Sequence, residues 1–80
     1  MQLKDYSLSP NRNILTEREL QILLLIAEEL STREIAEKLT IKIGTVEAHR
    51  KSLFFKLKAK NMAGLIHQAY QKGILSIHNS

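Results

Sequence analysis

TIKIGTVEAHRKSLFFKLKAK, residues 40–60, decides how this chain is read. It holds Lys42, Arg50, Lys51, Lys56, Lys58 and Lys60 against a single acid, Glu47. Residues 15–39, just before it, carry Arg18, Arg33 and Lys38 against six glutamates. The formal net charge of +4 therefore summarises a polarised molecule: an acidic segment followed by a basic, helix-forming one. A basic stripe on one helix is the electrostatic footprint of a protein that meets nucleic-acid phosphates. On a wheel of ~100° per residue, Val46, Leu53 and Leu57 fall together and predict the buried side of a helix over 43–57. Glu47, Ala48, Lys51 and Phe55 fall on the opposite side. His49 and Arg50 sit on the flanks, and Thr45, Ser52 and Lys56 lie along one edge. A mostly polar outward face with one small residue suits a helix entering a DNA major groove.

The segment upstream explains how such a helix is mounted. Thr16 with Glu19, and Ser31 with Glu34, form two capping boxes that fix where two helices start. Leu20, Leu23, Leu24 and Ala27 recur at helical spacing, and Ile22, Leu25 and Ile26 widen that face, so the first helix is packed on more than one side. Ile35, Ala36 and Leu39 give the second helix a short apolar face. The break at residues 40–42 is short, so the second and third helices pack close at a steep angle. Downstream, Asn61 caps a fourth helix that stops at Gly73. Met62, Leu65, Ile66 and Ala69 form its inner face; Ala63, His67 and Tyr70 form a second face with no evident use inside 80 residues. Ile74, Leu75 and Ile77 trail off towards a polar end. Residues 1–14 have no sustained period and read as a flexible, irregular arm or linker, leaving 15–77 as the domain.

Length and composition narrow the function. Eighty residues make one domain, and with no cysteine neither disulfides nor thiolate metal sites are available. The longest apolar run, residues 22–27, is too short to span a bilayer, and residues 1–10 have no signal-like apolar region, so a cytoplasmic protein is expected. No Gly-rich phosphate loop, no nucleophile with its base and no metal-ligand spacing is present, so neither an enzyme nor a cofactor is expected.

LTERELQILLLIAEELSTREIAEKLTIKIGTVEAHRKSLFFKL, residues 15–57, resembles the LuxR/GerE-type helix-turn-helix domain of NarL-like bacterial response regulators. The resemblance runs through Leu15-Thr16-x-Arg18-Glu19, Ser31-x-x-Glu34-Ile35-Ala36, Thr45-Val46-x-x-His49, Lys56-Leu57 and Ala69-x-x-x-Gly73-Ile74. It implies an all-α, four-helix fold with helices two and three as the helix-turn-helix. It implies sequence-specific binding of double-stranded DNA in transcription regulation, with the third helix in the major groove. Positions 47, 48 and 51 are those that contact bases in relatives, here Glu47, Ala48 and Lys51. Arg33, Lys42, Thr45, His49, Arg50, Lys56 and Lys60 are the candidates for phosphate contact. The fourth helix is implied to pair two copies, through Ala63, His67 and Tyr70. The chain is implied to be either the effector domain of a response regulator, with an N-terminal phosphoacceptor receiver domain as partner, or a stand-alone family member; RNA polymerase is a further implied partner. The chain departs from the pattern at Glu29 and Lys58, where relatives usually have glycine, and at Glu47, where they often have a cation. Two other readings stay open: a protein-interaction module with weak DNA binding, and the promoter-reading domain of a sigma factor.

Overall fold

A computed structural model of the chain describes residues 5–8 and 14–78, with the side chains of residues 14–76. Four helices follow one another: α1 (Glu17–Ala27), α2 (Thr32–Leu39), α3 (Ile43–Lys56) and α4 (Met62–Gln71). A strand precedes them, β1 (Asp5–Leu8), and another follows, β2 (Leu75–His78).

Local chemistry sets the helix starts. Thr16 Oγ1 accepts from the Glu19 N–H while Glu19 Oε1 accepts from the Thr16 N–H, and Ser31 and Glu34 repeat the exchange at α2. Each box satisfies two amides that a helix start would otherwise leave bare. At α4 the Asn61 side chain accepts from the Gly64 N–H. The caps expected at Thr16, Ser31 and Asn61 are therefore all made.

The helix ends share one device. After each helix the chain turns through a left-handed residue, at Glu29 (φ 70°), Thr40 (φ 56°), Lys58 (φ 53°) and Gly73 (φ 71°). The amide after that residue reaches back five positions: Leu30 to Leu25, Ile41 to Ala36, Ala59 to Phe54 and Ile74 to Ala69. This is the Schellman closure, which normally places glycine at the left-handed position. Here only the last is glycine. The residue that follows is apolar each time and at least half-buried, so burying Leu30, Ile41, Ala59 and Ile74 holds the strained turns in place. At positions 29 and 58, where the resemblance implies glycine, this chain makes the left-handed turn with Glu29 and Lys58.

The core runs through all four helices. Leu20, Ile22 and Leu23 of α1, Ile35 of α2, Val46 and Leu53 of α3, and Leu65 and Ala69 of α4 are buried together, with Leu57 and Ile74 between elements. α1 buries residues around most of its circumference, as its wide apolar face predicts. Met62 and Ile66 are half-buried against the core, completing the inner face expected of α4.

The ends of the chain differ from the sequence reading. Residues 1–4 and 9–13 of the expected arm lie outside the described residues, but between them Asp5–Leu8 forms a strand. It pairs antiparallel with Leu75–His78, Asp5 opposite His78 and Leu8 opposite Leu75. The tail expected to trail off after Gly73 is thus a strand, and Leu75 is buried in the core. Four-residue strands carry no detectable period on their own; this pairing joins opposite ends of the sequence and follows from the tertiary fold.

Candidate nucleic-acid interface

The site begins with the seating of α3. Val46, Leu53 and Leu57 have no exposed surface, which anchors one side of the helix. Three polar contacts, on two sides, then set its rotation. On the α1 side, Ser52 Oγ and Lys56 Nζ both donate to the Glu19 carboxylate, the latter at 2.9 Å. On the α2 side, Arg50 Nη1 donates to Thr32 Oγ1 at 2.9 Å. Glu19 thus closes the cap of α1 and grips α3 at once.

Glu19 is 4% exposed, and burial by itself pushes its carboxyl pKa up. Hydrogen bonds from Ser52 Oγ, the Thr16 N–H and Lys56 Nζ, together with the positive charge of Lys56, outweigh that and lower it to about 2. The carboxylate is charged throughout the neutral range, and it holds the helix that carries the basic stripe.

With α3 fixed, Thr45, Glu47, Ala48, Lys51 and Phe55 are exposed, while His49 and Arg50 are half-buried on the flanks, as the wheel predicts. Phe55 is 84% exposed, so α4 does not cover it. Arg33 and Lys42 meet in an open groove at the turn between α2 and α3, with Glu37, Thr40 and Ile43. Lys60 stands apart, in a depression with Lys58 and Asn61 where α3 gives way to α4. Lys56 and Arg50 are engaged internally, so two of the candidate phosphate contacts also serve to orient the helix. On α4, Ala63 and His67 are exposed and Tyr70 is half-buried. They follow one side of the helix, away from the buried Leu65 and Ala69.

The start of α3 differs from the other three. Its N-cap is Lys42, which makes no side-chain cap bond, and like α4 it has no acid in its first turn. The positive end of the helix dipole is left without a side-chain cap, in the groove lined by Lys42 and Arg33. Among the described residues no group of His, Asp and Glu is placed to hold a metal ion, and no helix is long and apolar enough to cross a membrane.

The positioning roles of Glu19, Ser52 and Thr32 are absent from the sequence reading. Glu19 is visible there as a capping residue, but its grip on α3 spans 33 and 37 positions of chain, beyond any local pattern.

Four helices in this order, with α2 and α3 joined by a tight turn and α3 presenting a polar face, form a helix-turn-helix domain. The profile of "Bacterial regulatory proteins, luxR family" (GerE) matches residues 13–69, and the chain belongs to that family. It is 45% identical over 62 residues to the oxygen regulatory protein NreC of Staphylococcus carnosus (strain TM300), covering 78% of this chain and 29% of that protein. The NreC of Staphylococcus aureus (strain JH9) is similar to the same extent. Among solved structures, the response regulator ChrA of a heme-sensing two-component system superposes with a TM-score of 0.70 at 36% identity, over 72% of this chain and 29% of that one. The chain thus corresponds to the DNA-binding helix-turn-helix part of response regulators and spans under a third of the length of these relatives.

Proposed function

We propose that this chain reads duplex DNA as the effector domain of a bacterial transcription regulator, with α3 lying in the major groove. The observation that carries this is the face of α3 itself. Glu47, Ala48 and Lys51 are exposed side by side while the opposite side is wholly buried, so these are the groups a groove would meet. Lys51 is suited to guanine O6 and N7, Glu47 to the cytosine amino group, and Ala48 to close approach or a thymine methyl. Arg33, Lys42 and Thr45 surround the uncapped start of α3, where a phosphate completes the missing cap. His49 and the remaining N–H groups of Arg50 and Lys56 flank the same face and supply further phosphate contacts, and Lys60, set apart beyond the end of α3, supplies another; such contacts set register and affinity.

In this reading two copies pair through the Ala63, His67 and Tyr70 face of α4, bringing two α3 helices to half-sites roughly 10 bp apart. A receiver domain and RNA polymerase are its partners in the cytoplasm. It needs neither cofactor nor catalytic group. The test is selection of sites from a random duplex pool at near-physiological salt. Enrichment of an inverted repeat is expected. Binding without enrichment that vanishes as salt rises would refute sequence reading and leave only the phosphate term.

A further inference from the structure

The exposed stripe of α3 changes along its length. Gly44, Ala48, Lys51 and Phe55 recur at i, i+4, i+7 and i+11, which places them in one row on the helix surface. Gly44 and Ala48 leave the backbone nearly bare, and the space around Gly44 is open. Lys51 is long and flexible. Phe55 ends the row with a phenyl ring 84% exposed. A single exposed apolar residue says little by itself. Its place in the row is what matters here.

A helix rises ~1.5 Å per residue, so Phe55 stands ~6 Å beyond Lys51 and ~10 Å beyond Ala48. The major groove is ~12 Å wide. With Glu47, Ala48 and Lys51 over base edges, residue 55 reaches the wall of the groove, where deoxyribose rings present C–H surface between phosphates. Exposed cations bracket Phe55 along the chain, Lys51 one turn before it and Lys58 just after the helix. That setting favours a polyanion over the apolar face of another protein. We propose that Phe55 is an apolar duplex contact, its ring packed on the deoxyribose edge of the strand that borders the groove. The row of side chains then grows from small to large as the helix axis draws away from the groove floor. This rests on the DNA-reading function proposed above.

The test is titration of the selected duplex with the wild-type chain, Phe55→Ala and Phe55→Leu across a salt series, with thermal melts of each free protein. The exposed ring touches little of its own fold, so the melting temperatures should match. Phe55→Ala should bind ~10-fold more weakly at every salt concentration, and Phe55→Leu should recover part of the loss. The slope of log affinity against log salt should not change, because a phenyl ring releases no counterion. Duplexes with uracil in place of thymine should show the same ratio.

Equal affinity of Phe55→Ala and wild type would overturn the proposal while leaving DNA reading intact. A loss confined to thymine-containing sites would move the ring to a thymine methyl and overturn the deoxyribose seat. A loss accompanied by dissociation of a free dimer, read by sedimentation, would assign the ring to a second copy of the chain. Failure of the wild type to bind any duplex would sink both readings together.

Discussion

Replacing Glu19 with glutamine keeps the shape and the cap but removes the charge that seats α3. Glutamine is the other residue accepted at this place in a capping box, so its carbonyl still takes the Thr16 N–H. The amide group then faces Ser52 Oγ, whose oxygen can accept, while Lys56 loses its anion. The size of the effect follows from the carboxyl pKa, about 2 in the fold against the ordinary 4.5. Full linkage of such a shift is ~3 kcal/mol; with Lys56 35% exposed and partly screened, ~2 kcal/mol is the reasonable figure. The sign is set by the direction of the shift. Between the two pKa values the unfolded chain binds the proton and the folded one does not, so stability falls as the pH falls. The contribution is complete above the ordinary carboxylate range and is lost as the pH drops through about 2. Urea midpoints of wild type and Glu19→Gln at pH 6.5, and then downward to pH 2.5, measure it, and the other carboxylates, common to both proteins, largely cancel in the difference. A gap of ~2 kcal/mol at pH 6.5 that mostly closes by pH 2.5 is expected. A gap of the same size at both pH values, or none at pH 6.5, would show that the Glu19 charge does not hold α3.

Glu29→Gly should raise stability by ~0.5–1 kcal/mol, since relief of left-handed strain exceeds the added entropy of the unfolded chain; a lower thermal midpoint would contradict the turn at φ 70°. Leu53→Ala opens a hole under the middle of α3 and should cost ~2–5 kcal/mol, with cooperative unfolding at lower urea. Lys51→Ala should cost ~1–3 kcal/mol of binding at one base-pair position; a uniform loss over all sequences would make it a phosphate contact. Lys42→Ala should weaken binding alike on every sequence and lower the salt slope by about one. An unchanged slope would remove Lys42 from the phosphate set.

What the sequence determined by itself is everything that depends on residues within about one helical turn. Capping at Thr16, Ser31 and Asn61 links residues three apart, reciprocally at the first two and one way at Asn61, so the helix starts are written locally. The facing of α3 follows from the spacing of Val46, Leu53 and Leu57, and with it the exposure of Glu47, Ala48, Lys51 and Phe55. Tertiary structure decided what lies across from those faces. A wheel gives the direction of Phe55 but not whether a neighbour covers it. Lys56 and Arg50 read as spare cations until Glu19 and Thr32 are brought to them from other helices. Glu29, Thr40 and Lys58 carry no turn signal as strong as glycine, yet the apolar residue after each is drawn into the core and forces the left-handed bend. The strands at the two ends need each other, because four residues have no backbone partner until the fold brings the opposite end of the chain alongside. Capping patterns and periodicity are written in the chain before it folds; charge partners, coverage and strand pairing exist only once distant segments meet.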